Sequence, residues 1–181
     1  MKVIILNGSP KARGNTATAL REVEKTLNQQ GIETDWIHVG NKDIRGCIAC
    51  NGCWKSGLCA FDDIVNEISV KMRDADGLLV GSPEYFASPN GTLLALLDRL
   101  FYSNLHVDWS MKVGASVSIA RRAGTTTTMD ALNKYFLKTN MQTMRQLGLN
   151  MAFMIKSIRL GLEQFGSPKL QEKITETHYI R

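Results

Sequence analysis

The stretch KVIILNGSPKARGNT, residues 2–16, decides the fold class of this chain. It opens with an apolar, β-branched run that ends at Asn7, which is typical of a strand buried on both faces of a sheet. A helix is predicted from Asn15, with Gly31 as its stop signal. The apolar residues that recur at helical spacing in it are Leu20, Val23 and Leu27. A strand, a glycine-containing loop and a helix in this order begin a unit that is typical of a parallel sheet.

The same alternation continues along the chain. Further strands are predicted at residues 34–39, 77–83 and 112–120. Three further helices are predicted. The first follows an aspartate cap and has Ile64, Ile68 and Met72 on one face. The second covers residues 92–101, and the third is marked by Ala131, Leu132, Tyr135 and Phe136. The pattern predicts an α/β fold in which a doubly wound parallel sheet carries helices on both faces. In such a sheet, ligands bind at the carboxyl ends of the strands.

Length and composition predict one domain over residues 1–181, with a cysteine-rich loop at 41–60 and a C-terminal helical segment from about residue 142. The net charge of +5 comes from dispersed lysines and arginines, so no nucleic-acid or membrane partner is expected. No apolar run approaches the roughly 20 residues of a membrane span. The four apolar residues before Asn7 are too few for a signal peptide. We therefore expect a cytoplasmic protein with reduced thiols.

The loop after the first strand, NGSPKARGNT (residues 7–16, the first loop), favours an anion. Its glycines permit tight turns, and it leads into a helix N-terminus, where free N–H groups and the helix dipole attract negative charge. It lacks the endings of nucleoside-triphosphate and dinucleotide loops, so a monophosphate is the predicted ligand. An ordinary capped turn is the alternative. The side chains available to a phosphate are Ser9, Lys11, Arg13, Asn15 and Thr16.

Two further loops follow the third and fourth predicted strands. GSPEYFASPNG (residues 81–91, the second loop) offers Tyr85 and Phe86 to a planar ligand, unless both rings only cover the end of the core. ARRAG (residues 120–124, the third loop) offers backbone N–H groups and two arginines to a negatively charged ring edge, unless the arginines are merely solvated. A phosphate site, an aromatic surface and cationic donors together match the shape of FMN.

All four cysteines fall in CIACNGCWKSGLC, residues 47–59, the cysteine segment. Cys47, Cys50, Cys53 and Cys59 have the spacing C-x2-C-x2-C-x5-C, and so compact a set of thiolates can wrap one iron–sulfur cubane. Tetrahedral zinc is a rival, although structural zinc sites more often use two separated pairs. Free structural or redox-active thiols are the third interpretation.

Five segments of the chain resemble the flavodoxin-like NAD(P)H-dependent FMN reductases, a family that includes the iron–sulfur flavoproteins. They are VIILNGSPKARGNT, CIACNGCWKSGLCAFDDI, GSPEYF, LLDRLF and ARRAG, in family order. The resemblance implies a flavodoxin-like three-layer fold with strand order 2-1-3-4-5, and a homodimer or homotetramer. It implies that the first loop holds the FMN phosphate. Iron–sulfur flavoproteins of the family carry a 4Fe–4S cluster on similarly spaced cysteines, whereas relatives of the reductase type keep similar cysteines without an established cluster. Around the flavin ring it implies Pro83, Glu84, Tyr85, Phe86, Arg121, Arg122, Ala123 and Gly124.

The resemblance also implies an activity. We expect an FMN-dependent oxidoreductase, an enzyme that moves electrons from NAD(P)H to a small-molecule or protein acceptor, with or without a 4Fe–4S cluster between them. NAD(P)H is expected from the family alone, because no nicotinamide motif is visible. The alternative is a non-enzymatic iron–sulfur electron carrier reduced by a ferredoxin-like partner. The isolated histidines His38, His106 and His178 are interpreted as surface or packing residues, and no side chain is assigned a catalytic role.

The chain departs from the family pattern after the segment ALNKYFLKTNM. Members of the family continue from this helix into a fifth strand and a long loop, whereas here Met141 is followed directly by Gln142. Either the fifth strand is absent, or a segment that the molecule carries is missing from the printed sequence. We favour the second, because loss of the strand would leave the fourth strand as an unprotected edge.

Overall fold

The structure is a computed structural model that describes residues 1–104, 109, 112–140 and 144–167. The chain divides into two compact units, Met1–Asn140 and Met141–Arg181. The first unit contains the sheet and all the predicted site residues, and the second contains one long helix in its described part. The expectation of a single domain over the whole chain stays a prediction.

Four parallel strands form the sheet of the first unit. They are β1 (Lys2–Asn7), β2 (Glu33–His38), β3 (Gly77–Pro83) and β4 (Val113–Ile119). Their order is β2-β1-β3-β4, which confirms the predicted α/β class and the flavodoxin-like order of these four strands. Among the described residues there is no fifth strand. The junction of Met141 and Gln142, where the family pattern is interrupted, lies outside the described residues.

In the part of the chain that the structure describes, six helices connect or follow the strands. They are α1 (Asn15–Gln29), α2 (Cys53–Ser56), α3 (Ile64–Asp74), α4 (Gly91–Ser103), α5 (Thr125–Asn140) and α6 (Met144–Phe165). The predicted aspartate cap is Asp63, whose Oδ1 accepts a hydrogen bond from the Val65 N–H at 3.0 Å. The sequence did not predict the single turn α2 inside the cysteine segment. None of the helices in the described residues has the length and apolar composition of a membrane span.

The core lies on both faces of the sheet because successive side chains of a strand point to opposite faces. On one face, Ile4 and Leu6 pack with apolar residues of α3 and α4. On the other face, Ile5 packs with Leu20 of α1 and with Leu79 of β3. Burial on both faces explains why β1 and β3 are continuous apolar runs rather than alternating ones.

The strand register brings three predicted loops to one edge of the sheet. Asn7 at the end of β1 is paired with Gly81, which in turn is paired with Val117 of β4. Pro83 and Ile119 pair at the ends of their strands. The first, second and third loops therefore leave the sheet side by side, at the edge where parallel sheets bind ligands.

Candidate functional site

The first loop is attached to the sheet through its own backbone. The Gly8 N–H donates to the Gly81 carbonyl at 2.8 Å, and the Asn7 side chain accepts from the Ser9 N–H at 3.1 Å. The Ser9 hydroxyl accepts from the Lys11 N–H at 3.2 Å. His38 of β2 lies 2.7 Å from the Ser9 carbonyl, which can only accept, so its Nε2 carries the proton. His38 thus fixes the loop, while His106 and His178 lie outside the described residues.

Two glycines allow this loop to lie close to its surroundings. A Cβ at Gly40, just after β2, would lie 2.3 Å from the Gly8 carbonyl oxygen and from backbone atoms of Ser9. A Cβ at Gly8 would lie 2.5 Å from a Leu93 side-chain carbon. Because real Cβ atoms are not found at such distances, any side chain at either position would displace the loop.

The N-terminus of α1 faces the end of the first loop without a cap. Its N-cap is Gly14, and no side chain of the described residues accepts a hydrogen bond there. Lys11, Arg13 and Asn15 are exposed around this helix end, whereas Ser9 and Thr16 are buried. Free N–H groups, a helix dipole and two nearby cations are the donor set that a phosphate monoester requires.

The second loop forms a tight hairpin at the end of β3. Tyr85 and Ser88 exchange both backbone hydrogen bonds, at 2.8 and 3.0 Å, and Phe86 and Ala87 at the tip have positive φ angles of 53° and 60°. Two consecutive positive φ angles are typical of a type I′ turn, which usually contains glycine or asparagine. Tyr85 is half-exposed and Phe86 fully exposed. The hairpin therefore presents exposed aromatic surface at this edge of the sheet.

The second and third loops touch each other. The Glu84 N–H donates to the Ile119 carbonyl at 2.8 Å. A Cβ at Gly124, where φ is +93°, would lie 2.8 Å from the Glu84 carboxylate. Arg121, Arg122 and Ala123 are exposed just before this glycine, and α5 begins directly after it.

The three loops together fit FMN. The uncapped end of α1 matches a phosphate, the exposed aromatic hairpin matches a flat ring, and the exposed arginines match a negatively charged ring edge. All the predicted flavin-contact residues lie at the same sheet edge, as required if one ligand is to meet them.

The four cysteines line one small cavity. Ile48, Asn51, Phe61, Arg99, Tyr102 and their neighbours complete its wall. All four cysteines lie in the described part of the chain and none forms a disulfide. Cys47 and Cys50 are exposed, Cys53 is buried, and Cys59 is intermediate. Burial raises the pKa of the Cys53 thiol, and the charges of the other three sulfurs raise it further.

The donor set of this cavity fits an iron–sulfur cluster, because four thiols are the ligands that such clusters require. Nevertheless, the described residues contain no group of three or more histidine, cysteine, aspartate or glutamate side chains already arranged to hold a metal ion. The cavity therefore supplies the ligands in one place without holding them in a closed coordination shell.

A buried arginine behind the cysteines was missed by the sequence interpretation. Arg99 of α4 is 1% exposed, and its two terminal nitrogens lie 2.6 and 3.0 Å from the two Asp63 oxygens. Its Nε lies 3.2 Å from Cys59 Sγ. Burial lowers the pKa of Arg99, but the hydrogen bonds to Asp63 and Cys59 and their charges raise it above the usual value overall. The sequence feature that could have revealed it is a positively charged residue between Leu96 and Leu100, within the apolar face of α4, because a cation at such a position must find buried partners.

Comparison with known proteins decides the family. Residues 1–154 match the family described as NADPH-dependent FMN reductase. The chain belongs to this family.

As a member of the NADPH-dependent FMN reductases, the protein is an FMN-dependent oxidoreductase, which confirms the resemblance seen in the sequence. It is 38% identical to an iron–sulfur flavoprotein of Methanocaldococcus jannaschii over 139 residues, 76% of this chain and 72% of that protein. It is 30% identical to an iron–sulfur flavoprotein of Methanosarcina thermophila over 138 residues, 75% of this chain and 72% of that protein.

Solved structures agree with the fold. An NADH:FMN oxidoreductase in its apo form superimposes with a TM-score of 0.56 and 22% identity, over 77% of this chain and 69% of that chain. An NAD(P)H:acceptor flavoenzyme from Paracoccus denitrificans superimposes with a TM-score of 0.59 and 19% identity, over 76% of this chain and 71% of that chain. At these identities the likeness supports the flavodoxin-like fold.

Proposed function

We propose that this FMN oxidoreductase takes electrons from NAD(P)H and passes them to a small-molecule or protein acceptor through a 4Fe–4S cluster held by Cys47, Cys50, Cys53 and Cys59. The observation that carries the proposal is the single cavity lined by all four thiols, in a chain that belongs to a flavin reductase family. The names of the two iron–sulfur flavoproteins compared above support a cluster over zinc or free thiols.

At the flavin site, each loop has a separate task. Lys11 and Arg13, with the N–H groups at the start of α1 and the side chains of Ser9, Asn15 and Thr16, hold the phosphate. Tyr85 and Phe86, flanked by Pro83 and Glu84, give the ring system a flat surface. Arg121 and Arg122, with the backbone of Ala123 and Gly124, stabilise negative charge at the edge of the ring. When bound, FMN supplies hydride acceptance and single-electron transfer.

At the cysteine segment, the chain supplies four sulfur ligands and controls their surroundings. Cys59 is held at three points, because its N–H and carbonyl both bond the Asn66 side chain, at 2.8 and 3.0 Å, and its sulfur meets Arg99. Cys47 and Cys50 are exposed, so their side of the cavity opens outward. A cluster here would have one fixed, buried side and one side accessible to an electron acceptor.

The compartment and the assembly remain proposals as well. Exposed thiols persist in a reducing compartment, which supports the cytoplasm. A homodimer or homotetramer would cover the exposed aromatic rings at the tip of the second loop, a contact surface of the kind enriched in protein interfaces.

The proposal is tested on the full chain purified without oxygen and loaded with FMN, iron and sulfide. We expect bound FMN, acid-labile sulfide, broad absorbance beyond the flavin bands, and bleaching of the flavin bands by NADPH or NADH. Loaded protein that only a reduced ferredoxin-like donor can bleach would establish the electron carrier instead of the enzyme. Protein that binds FMN but retains neither iron nor sulfide would overturn the cluster.

A further inference from the structure

Arg99 carries a positive charge in a place where water cannot reach it. Its side chain is 0% exposed, and a buried cation is costly unless it is paired and fully hydrogen-bonded. Asp63 supplies the pairing charge through a two-pronged contact with the guanidinium. The chain therefore bears a desolvation cost in the middle of α4, and the contacts of the remaining N–H groups indicate what this cation does.

All five N–H groups of the guanidinium are used, and all of their acceptors belong to the cysteine segment or its flanks. Two go to the carboxylate of Asp63, and the others go to the Arg45 carbonyl at 3.4 Å, the Phe61 carbonyl at 3.2 Å and Cys59 Sγ at 3.2 Å. Arg45 precedes the first cysteine, and Phe61 and Asp63 follow the last. One side chain thus connects both ends of the segment.

The contact with Cys59 differs chemically from the other four. An N–H donor directed at a sulfur withdraws electron density from it, and hydrogen bonds to the sulfurs are among the factors that set the reduction potential of an iron–sulfur cluster. Because Asp63 balances the charge of Arg99, the Nε–H bond acts on Cys59 mainly as a local dipole. The Asn66 side chain fixes the backbone of Cys59, and this helps to keep the Cys59 sulfur within reach of the Arg99 Nε–H group.

We propose that Arg99 is a positioning residue for the metal centre: its Nε–H bond to Cys59 Sγ holds that ligand in place and raises the reduction potential of the cluster. The inference rests on the proposed function, because it requires the four cysteines to hold iron and sulfide. It goes further by assigning a role to a residue of α4 that lies 40 positions away from the cysteine it contacts.

The test is a redox titration of the cluster, followed by its electron paramagnetic resonance signal, in loaded wild type, Arg99→Lys, Arg45→Lys and Asp63→Asn. Lysine at position 99 keeps the charge and can pair with Asp63, but its compact ammonium cannot also reach Cys59 in the same geometry. We expect a lower potential in Arg99→Lys. Arg45→Lys is the matched control: the Arg45 side chain stacks over the Phe61 ring, and we expect its replacement to leave the potential unchanged.

Asp63→Asn separates a direct effect from simple loosening of the segment. The amide still caps α3 and keeps the Nε–H bond, but it leaves the charge of Arg99 unbalanced, so we expect a higher potential. A merely structural role would move the potential of Arg99→Lys and Asp63→Asn in the same direction, and that result would overturn the inference. An unchanged potential in Arg99→Lys would overturn it too.

If Arg99→Lys does not fold, the inference is tested on proteins that keep Arg99. Wild type and Arg45→Lys are produced with ¹⁵N-labelled arginine, and pulsed resonance measures nitrogen coupling to the reduced cluster. Coupling that persists in Arg45→Lys supports the bond to Cys59, and its absence overturns it. If the wild type binds FMN but takes up no iron, both the proposed cluster and this inference are wrong. If the wild type takes up the cluster but the variants do not show the expected potentials, only this inference is wrong.

Discussion

The first loop and the cysteine segment belong to the same compact unit but are held in different ways. The first loop is fixed by backbone contacts with the sheet, through Gly8 and the close approach of Gly40. The cysteine segment contains only the single turn α2, and side chains from α3 and α4 hold it: Asn66, Arg99 and Tyr102. Tyr102 donates to Asn51 at 2.8 Å, next to backbone with positive φ at Ala49 and Asn51.

The difference has consequences for how each site forms. A loop fixed by the sheet acquires its shape when the strands pair, so the anion site predicted there would exist before any ligand binds. A segment fixed by a few side chains depends on their identity and on the ligand it holds. Metal binding of this kind is coupled to local folding, since ligation adds order that the chain alone does not supply.

The largest expected effect comes from removing the guanidinium. Arg99→Met should lower the free energy of unfolding by about 3 kcal/mol, because it removes the cation that pairs with Asp63 and the donor to the Arg45 carbonyl. This loss of stability lies at the low end of the range for breaking a buried ion pair, because the Asp63 side chain is 28% exposed and water can partly solvate its charge. Chemical denaturation measures it.

The same variant distinguishes the two regions. Under native conditions, Arg99→Met should bind FMN with an affinity within about twofold of wild type, because the first loop does not depend on α4 polar contacts. Arg73→Met, which changes an exposed arginine of α3, is the control and should change stability by less than about 0.5 kcal/mol. A large loss of FMN affinity in Arg99→Met would show that the regions are not independent.

A pair of glycine substitutions comes next. Gly40→Ala should destabilise the protein by nearly 3 kcal/mol and weaken FMN binding, because its Cβ would overlap backbone atoms of the first loop. Gly46→Ala, immediately before the cysteine segment, meets nothing within 4 Å and should be tolerated. Denaturation and FMN titration of both variants check this. Equal effects would mean that the two regions are equally tightly packed.

A smaller effect is expected at the phosphate. Lys11→Ala with Arg13→Ala should raise the dissociation constant of FMN about tenfold, or about 1.4 kcal/mol, because two cations near the helix N-terminus are lost. The difference should shrink at high salt, since both side chains are exposed. Arg21→Ala with Lys25→Ala removes the same charge further along α1 and should change the affinity much less. Fluorescence titration of flavin provides the measurement.

The smallest effect is a difference in rate inside the cysteine segment. In iron-free protein, iodoacetamide should modify Cys47 and Cys50 several-fold faster than Cys53, because Cys53 is buried and its pKa is raised, so less thiolate is available. Mass spectrometry of timed digests gives the three rates. Equal rates would show that the segment opens as a whole without its ligand.

Several parts of the fold could be predicted because their signals are local. Short apolar runs placed β1 to β4, and amphipathic stretches placed helices α1, α3 and α4, within a few residues of their observed bounds. The meeting of the three loops could be predicted because the carboxyl ends of parallel strands lie at one edge of a sheet, whatever the details of packing. Their contacts with flavin stay a prediction. The aspartate cap of α3 could be predicted because its signal is local: the hydrogen bond joins Asp63 to Val65, only two residues further along the chain.

Other parts depend on contacts between distant segments, and no local pattern reports them. The need for glycine at position 40 arises only when the end of β2 meets the first loop. His38 was interpreted as a surface or packing residue, yet it bonds the Ser9 carbonyl 29 residues away. The role of Arg99 required α4 to pack behind the cysteines, 36 to 54 residues from its partners.

The sequence by itself determined the strand and helix pattern, the sheet edge where the three loops meet, and the set of four thiols, because each depends on residue type and short spacing. Only the tertiary structure decided how the thiols are held, with one buried guanidinium bonded to both flanks of their segment. The physical reason is that a buried charge must find all its partners within a few ångströms, and those partners are defined by folding rather than by position in the chain.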